Sequence, residues 1–147
     1  MPLYFLLMVL VVLLDQALKF FIVTNISLNT SFSLVNGLLS LAYVRNYGAA
    51  WSMLIGQRLF FTVISVGALG FFAYYFKKKY PAKLYSFAFA LLIGGTLGNF
   101  LDRLRLGYVV DMFQLDFINF PIFNIADTAL TIGVILLMLA LLLDKDE

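Results

Sequence analysis

Four long apolar runs constrain this chain more than any other feature of its sequence. They lie at residues 3–23, 59–76, 84–101 and 125–143. A helix of about 20 residues, rising 1.5 Å per residue, crosses the roughly 30 Å hydrocarbon core of a bilayer. We therefore predict an all-α membrane protein with four transmembrane helices, built as a single membrane domain over residues 1–147.

Composition supports the membrane assignment. Hydrophobic residues make up 63% of the chain and charged residues only 12%, against about 45–50% and about 25% in soluble proteins. A soluble domain of this size buries only about two-thirds of the surface that its unfolded chain exposes, which is too little to hide so many apolar side chains. The net charge of +2 is too small to indicate nucleic acid as a partner.

The sequence contains no cysteine and no histidine. This excludes catalysis by a Ser-His-Asp triad or by a Cys-His pair, and it excludes zinc sites built on those side chains. An all-oxygen site for Mg²⁺ or Ca²⁺ stays open, although nothing in the sequence favours a metal, and we expect no cofactor. Polar chemistry in this chain must therefore come from carboxylates, amides, hydroxyls, lysine and arginine.

The charge pattern predicts the orientation of the runs. Four lysines lie within residues 77–83, between the second and third runs. By the positive-inside rule this loop is cytoplasmic, and so are both termini. The first run has no basic residue before Lys19 and no small-residue cleavage site, so we interpret it as a retained span and not as a signal peptide. Residues 144–147 are expected to form a solvated cytoplasmic tail.

The segment after the first run, residues 24–57, has a different character. Ser, Asn and Gly become frequent, residues 31–34 alternate between polar and apolar, and Asn36-Gly37 is a strong hairpin signal. We predict a small extracytoplasmic β-rich segment here, with two or three short strands. Residues 45–51, Arg-Asn-Tyr-Gly-Ala-Ala-Trp, are by themselves equally consistent with a turn followed by an interfacial Trp51 anchor.

Ionisable and amide side chains cluster at the predicted outer ends of the runs. Each ionisable group costs roughly 2.5–3.5 kcal/mol at a helix centre, so a chain that keeps several together is expected to use them. The predicted topology brings them to one depth. They are Asn46, Asn99, Asp102, Arg103, Asp111, Asn124 and Asp127. In the third run, Gly94 and Gly98 are spaced so that a neighbouring backbone can approach closely.

Asp15 and Lys19 lie four residues apart inside the first run, so they share one face of a helix and can form an ion pair. The pair either neutralises itself between helices or braces a polar site at the same depth. We favour bracing, because a lysine within a span usually faces the interior of a helix bundle.

Asp111 and Asp127 are the strongest candidates for catalysis. Asp127 lies in the first turn of the fourth predicted helix, where the helix dipole favours an anion. Asp111 lies in an apolar run, residues 108–113, where burial is expected to raise its pKa. Two carboxylates whose pKa values are pushed apart, or that share one proton, are the arrangement of aspartic peptidases. The ionised Asp takes a proton from water, and the protonated Asp donates to the scissile carbonyl.

Spacing alone leaves other roles open for these side chains. Each Asp of the pair can instead cap a helix or pair with Lys19, Arg103 or Arg105. The neighbouring Asp102 is most simply a partner of Arg103 or Arg105, and Asp116 is expected to be solvated. The three Asn side chains either orient the Asp pair and the substrate backbone or bridge helices as buried amides.

Five short polar motifs are spaced along the chain. They are Asp15-Gln16-x-x-Lys19, Arg45-Asn46-x-Gly48-Ala49-Ala50-Trp51, Gly94-Gly95-x-x-Gly98-Asn99-x-x-Asp102-Arg103, Val109-Val110-Asp111 and Phe123-Asn124-x-Ala126-Asp127. In this order, and over nearly the whole chain, the sequence closely resembles the signal peptidase II family, whose members are lipoprotein signal peptidases. It departs from the family at Met112, where Phe usually follows the Asp directly.

The resemblance implies a membrane-embedded aspartyl endopeptidase. Such an enzyme removes signal peptides from diacylglyceryl-modified bacterial prolipoproteins and cuts on the N-terminal side of the lipidated Cys. By the same resemblance Asp111 and Asp127 form the catalytic pair, and the cyclic peptide antibiotic globomycin is an inhibitor that occupies the site. The implied supporting and substrate-binding residues are Asn46, Gly48, Asn99, Asp102, Arg103, Asn124, Asp15 and Lys19.

The resemblance also implies an outer architecture. The β-rich segment is similar to the family's β-cradle, and the connection at residues 106–124 is similar to its mobile outer helix. A substrate that carries lipid must enter sideways from the bilayer. We therefore expect a site that opens between helices near the outer leaflet of a bacterial cytoplasmic membrane, in a protein that works as a monomer.

Two other classes of protein compete with the peptidase. A small proton-coupled transporter or channel subunit also places Asp and Lys within the membrane. In this chain, however, the polar residues lie at one depth and do not step across the bilayer. A scaffold that only packs with other helices is the third class, and it predicts that Asp111→Asn is harmless.

Overall fold

The computed structural model describes residues 1–48 and 57–144, and these residues form four α-helices and three β-strands. The elements are α1 (Pro2–Asn25), β1 (Ser31–Val35), β2 (Leu39–Asn46), α2 (Arg58–Lys79), α3 (Lys83–Leu106), β3 (Val109–Leu115) and α4 (Ile125–Leu143). Each of these four helices is long and apolar enough to cross a membrane, as the four apolar runs predict. The predicted anchor Trp51 and the tail residues 145–147 lie outside the described residues.

The third helix, α3, is the centre of the bundle and packs against the other three helices. In its most apolar stretch 67% of the residues are buried, compared with 28% in α1, 11% in α2 and 22% in α4. Glycine allows this close packing. A Cβ atom at Gly94 would lie 3.0 Å from Val11 Cβ of α1, and one at Gly95 would lie 2.6 Å from the backbone oxygen of Ala126 on α4. The predicted close approach of a neighbouring backbone to the glycines of α3 is therefore confirmed, and the backbone of α4 comes closest at Gly95.

The C-terminal end of α3 extends beyond the predicted limit of the third run. The helix ends at Leu106, and Gly107 follows it with a left-handed φ of 82°, a common stop for a helix. Arg103 and Arg105 lie in the last turn, where the helix dipole favours cations. Asp102 and Arg103 therefore project from a helix and not from the loop that follows it.

The three strands form one antiparallel sheet in the order β1-β2-β3. Strands β1 and β2 make the predicted hairpin, and its turn contains Gly37 with a φ of 74°, a conformation that favours glycine. In the second strand pair, Val44 lies opposite Asp111 and Asn46 lies opposite Val109. This register places Asn46, at the end of β2, beside Asp111.

The third strand comes from the connection before α4 and corrects the outer helix expected there. Residues 109–115 are strand, and residues 116–124 contain no helix. The β-branched Val109 and Val110 suit a strand, and the open edge of β2 supplies partners for its backbone N–H and C=O groups. Phe113 also bridges to Phe123, which returns the chain to the start of α4.

Apolar side chains fasten the sheet to the end of α1. Ile22 of α1 and Ile26, the residue that follows this helix, pack with Tyr43 of β2 and with Met112 of β3. Met112 is 0% exposed, so the residue that departs from the family pattern occupies a core position. Burying a side chain of this size contributes roughly 1.5–3 kcal/mol, and the contact holds the sheet over the bundle.

Met1 and Asp144 lie at the end of the bundle opposite to the sheet. Lys79 Nζ and Tyr85 OH each donate to Asp144 Oδ2 at 2.8 Å, and the amino group of Met1 donates to Tyr80 OH at 3.0 Å. Asp144 is therefore exposed, as expected, and it also accepts hydrogen bonds from α2 and α3.

Candidate active site

Asp111 and Asp127 line one cavity, whose volume is about 780 Å³. Asp111 stands on β3 and is 3% exposed, whereas Asp127 is half-buried in the first turn of α4. The bridge from Phe113 to Phe123 brings the start of α4 back to β3. The tertiary structure thus brings to one cavity two carboxylates that lie apart in the sequence.

The N-terminus of α4 fixes the Asp127 side chain through a capping box. Asn124 Oδ1 accepts from the backbone N–H of Asp127 at 2.8 Å, and Asp127 Oδ2 accepts from the backbone N–H of Asn124 at 3.2 Å. These bonds satisfy backbone donors that a helix start leaves without partners. Asp127 is therefore both a capping residue and a cavity residue.

Two asparagine amides join the two carboxylates. Asn99 Nδ2 donates to Asp127 Oδ1 at 2.7 Å, and Asn124 Nδ2 donates to Asp111 Oδ1 at 2.8 Å. The amides also bond to each other, because Asn124 Nδ2 donates to Asn99 Oδ1 at 3.0 Å. Both Asn side chains are buried, and both present N–H donors to the acids.

The other oxygen of Asp111 faces the sheet. Asn46 Nδ2 donates to Asp111 Oδ2 at 3.2 Å, and the backbone N–H of Gly48 donates to Asn46 Oδ1 at 3.0 Å. The Gly48 bond turns the Asn46 amide so that its donor side faces the acid. Each oxygen of Asp111 therefore accepts one amide hydrogen bond.

Lys19 lies behind the acids in a buried polar cluster and is 3% exposed. Its Nζ lies 2.8 Å from Asp15 Oδ2, 2.9 Å from Asp102 Oδ2 and 3.1 Å from Asn99 Oδ1. The predicted Asp15–Lys19 pair is confirmed. Because Asn99 also bonds to Asp127, the geometry agrees with bracing and not with a pair that only neutralises itself.

The expected partner of Asp102 is corrected by the structure. Asp102 pairs with Lys19, and the described residues place no carboxylate within ion-pair distance of Arg103 or Arg105. Successive residues of a helix point about 100° apart, so an Asp102 side chain that faces α1 leaves Arg103 facing elsewhere. Arg103 lines the cavity and lies over the ring of Phe61, 4.9 Å from its centre.

Burial dominates the electrostatics of Asp111. Burial, followed by the negative charge of Asp127, raises the pKa of Asp111 from 3.8 to about 7, although hydrogen bonds from Asn46 and Asn124 oppose the rise. The expected upward shift is confirmed. Near neutral pH, Asp111 therefore exists in both protonation states and can give up or take a proton.

Comparisons with known proteins agree with this arrangement. The model of the family described as signal peptidase (SPase) II matches residues 7–143. The lipoprotein signal peptidase of Lactiplantibacillus plantarum is 54% identical over 98% of this chain and 97% of its own. That of Latilactobacillus sakei is 51% identical over 99% and 97%. A bacterial membrane enzyme structure solved by the in meso method at 2.3 Å resolution is 41% identical, with a TM-score of 0.93 over 99% of this chain and 90% of the other.

The chain belongs to the signal peptidase II family. It is therefore a peptidase and a multi-pass membrane protein. The residues that the resemblance singled out meet in one hydrogen-bonded region, except for Arg103, which reaches the same cavity by lining its wall. The members of that region are Asp15, Lys19, Asn46, Gly48, Asn99, Asp102, Asp111, Asn124 and Asp127.

The sequence did not suggest a role for Gln16. In this signal peptidase II fold, Gln16 belongs to the same hydrogen-bonded region as Asp102. Gln16 Nε2 donates to Asp102 Oδ1 at 3.0 Å and to the backbone oxygen of Gly98 at 3.2 Å. An uncharged polar side chain beside Asp15 in an apolar run was the available signal. Asp116, in contrast, is exposed as expected, and it accepts from Ser40 Oγ at 2.8 Å.

The rest of the cavity wall in this signal peptidase II chain is apolar. Ile64, Ala68 and Phe72 of α2 line it, and so do Leu130 and Ile132 of α4. Four hydroxyls also line it, but each donates to the carbonyl four residues earlier in the chain: Ser65 to Phe61, Thr96 to Leu92, Thr128 to Asn124 and Thr131 to Asp127. The described residues contain no group of three or more acidic side chains that could hold a metal ion. The cavity thus combines a polar end that can move protons with an apolar interior between two helices.

Proposed function

We propose that this chain is an aspartyl endopeptidase of the bacterial cytoplasmic membrane that removes signal peptides from diacylglyceryl-modified prolipoproteins. Cleavage falls on the N-terminal side of the lipidated Cys. One observation carries the proposal: Asp111 and Asp127 line one cavity and are linked through Asn99 and Asn124. The names of the relatives, lipoprotein signal peptidases, support the substrate class.

The reaction needs only the side chains of this pair. One ionised Asp takes a proton from water while the water oxygen attacks the scissile carbonyl carbon. The other Asp, protonated, donates to the carbonyl oxygen, and no covalent intermediate with the enzyme forms. This chemistry suits a chain that has neither histidine nor cysteine.

The surrounding side chains position the pair and the substrate. Asn46, Asn99 and Asn124 hold the carboxylates through the hydrogen bonds given above. Arg103 presents a cation to the same cavity and is available to a backbone carbonyl of the substrate. Gly48 supports Asn46 through its backbone N–H.

The apolar walls suit a lipid-bearing peptide. Apolar residues of α2 and α4 that line the cavity, such as Ile64 and Ile132, form a passage for the apolar part of a signal peptide and for acyl chains. A substrate would enter sideways from the bilayer through this passage. A cyclic peptide such as globomycin would inhibit by occupying the same cavity.

The proposal includes an orientation in the membrane. The end of the bundle that carries Met1, Lys79 and Asp144 is cytoplasmic, because four lysines lie at the end of α2 and the start of α3. The sheet and the active site then lie at the outer leaflet. One chain supplies every residue of the described site, so a monomer suffices.

A gel-shift cleavage assay tests the proposal. Purified protein in detergent receives a diacylglyceryl-modified prolipoprotein, and Asp111→Asn and Asp127→Asn are assayed beside the wild type. We expect cleavage by the wild type only, with both variants folded according to their thermal unfolding curves. The same prolipoprotein without the lipid serves as the substrate control and should stay intact. Cleavage by either variant would remove that residue from the catalytic pair, and an inactive wild type with verified substrate would refute the peptidase.

A further inference from the structure

Lys19 makes one contact that charge neutralisation does not require. An ammonium group has three N–H donors and no acceptor. Two of them are matched by the carboxylates of Asp15 and Asp102, and the third is directed at Asn99 Oδ1 at 3.1 Å. Lys19 therefore connects its ion pairs to the amide that bonds to Asp127.

This contact determines how the Asn99 amide is oriented. Because Lys19 can only donate, Asn99 must turn its oxygen toward Lys19 and its nitrogen toward Asp127, where Nδ2 lies 2.7 Å from Oδ1. Asn124 agrees with this orientation, since its Nδ2 also donates to Asn99 Oδ1. A flipped Asn99 would set its N–H groups against two donors and its oxygen against a carboxylate.

The two acids therefore have different surroundings. Asp127 accepts from an amide that is polarised by a cation, and it also accepts from a backbone N–H at the start of a helix, where the helix dipole favours an anion. Asp111 accepts from the amides of Asn46 and Asn124, is 3% exposed and stands on a strand. Of the two acids, only Asp127 lies at the N-terminus of a helix.

The field of Lys19 through space does not explain this difference. Asp15 and Asp102 lie within 2.9 Å of its ammonium group, so the three side chains together carry one positive and two negative charges. Among the residues that the structure describes, the remaining charged side chain at the cavity is Arg103 of α3, which lines it together with both acids. What Lys19 supplies to Asp127 is a directed hydrogen bond through Asn99.

We propose that Lys19 is a positioning residue that acts through the Asn99 amide to make Asp127 the ionised member of the pair and to leave the shared proton on Asp111. This proposal rests on the proposed function and assigns the two roles within it. Asp127 is the base that takes the proton from water, and Asp111 is the acid that protonates the carbonyl oxygen. Lys19 touches neither the substrate nor the reacting atoms.

With these roles, each acid returns to its starting protonation state at the end of the reaction. The water oxygen bonds to the carbonyl carbon as one water proton passes to Asp127 and the Asp111 proton passes to the carbonyl oxygen. When the C–N bond breaks, Asp127 gives its proton to the departing nitrogen. One hydroxyl of the intermediate returns its proton to Asp111, which restores the starting state of both acids.

The pH profile of kcat/KM tests the role of Lys19. We compare the wild type with Lys19→Met and with the double variant Lys19→Met/Asp15→Asn, which removes one positive and one negative charge and so preserves the local net charge. In both variants the acidic limb should move to higher pH by about one unit, with about tenfold slower cleavage below that limb. KM should change little. Lys79→Met, which breaks the exposed ion pair to Asp144, is the matched control and should follow the wild type.

Two results would overturn the role of Lys19. An unshifted profile in Lys19→Met would remove it outright. A shift in the single variant that the double variant reverses would show an effect of net charge and not of the bond through Asn99. The proposed function is tested separately in the same series, because cleavage by Asp127→Asn would refute the aspartyl mechanism itself.

Infrared spectroscopy tests the assignment without changing Lys19, should its variants fail to fold. At neutral pH the wild type should show the C=O band of a protonated carboxyl group, and Asp111→Asn should lose it. Persistence of the band in Asp111→Asn would place the proton elsewhere and overturn the proposal.

Discussion

Asp15 of the first helix caps the fourth helix: its Oδ1 accepts a hydrogen bond from the backbone N–H of Ala126 at 2.9 Å. Its Oδ2 lies 2.8 Å from Lys19 Nζ. One fully buried carboxylate thus satisfies a backbone donor at the start of α4, one residue before Asp127, and also an ion pair behind the acids. The position of Asp127 therefore depends on a contact between the first and last helices.

Asp15→Ala should weaken the protein and slow cleavage without abolishing it. The substitution leaves the Ala126 N–H without its partner and removes one of the two carboxylates that neutralise Lys19. Losing a buried charge-assisted hydrogen bond costs about 1.5–3 kcal/mol. Thermal unfolding in detergent and the gel-shift assay measure both effects. Asp144→Ala at the opposite end is the control, since its carboxylate is exposed and far from the site. A folded but completely inactive Asp15→Ala would give Asp15 a larger part than support.

Cleavage should decline as the pH rises through about 7. Burial, with the charge of Asp127, raises the pKa of Asp111 to about 7. The proposed acid works only when protonated, so it is competent below that pKa and loses about tenfold in rate per pH unit above it. A profile of kcat/KM between pH 5 and pH 9 (roughly two units on each side) measures this. A rate that stays constant to pH 9 would contradict Asp111 as the acid.

Asn46→Ala should move this basic limb to higher pH. The hydrogen bond from Asn46 lowers the pKa of Asp111, so removing it should raise the pKa further and keep the acid protonated over a wider range. Ser40→Ala is the matched control, because Ser40 also stands on β2 and also donates to an aspartate, the exposed Asp116. Its profile should coincide with that of the wild type. A coincident profile for Asn46→Ala as well would show that the bond does not influence the acid.

Gly95→Ala should destabilise the protein and reduce cleavage. The new Cβ would lie 2.6 Å from the backbone oxygen of Ala126, so α4 must move away from α3 close to Asp127. Overpacking of this kind costs roughly 1–3 kcal/mol. Gly67→Ala in α2 is the matched control, because no described atom lies within 4 Å of its added Cβ and alanine favours a helix. Unfolding temperatures and cleavage rates of the two variants should diverge, and equal values would show that α4 adapts freely.

EDTA should leave cleavage unchanged. The described residues contain no cluster of three acidic ligands, and the proposed reaction uses carboxylates alone. The assay compares rates before and after chelation and dialysis. A loss of activity that Mg²⁺ or Ca²⁺ restores would contradict the aspartyl mechanism and point to a metal site.

Local physical chemistry made much of this protein predictable from its sequence. The four spans follow from apolar runs long enough to cross a bilayer, and the structure confirms four such helices among its described residues. The hairpin follows from Asn36-Gly37, because a tight turn favours a residue that accepts positive φ. The candidates Asp111 and Asp127 follow from the cost of ionisable groups in an apolar chain.

Only the tertiary structure decided which side chains meet. Residues 109–115 became a strand because β2 offered an open edge, a long-range condition that no local period records. Asp102 bonds to Lys19 and not to its neighbour Arg103, because the face that α3 turns to α1 selects the partner. The same packing directs the third donor of Lys19 to Asn99 and joins Asp15 to α4. Sequence spacing determines which residues share one helix face, whereas helix rotation and strand register determine what that face touches.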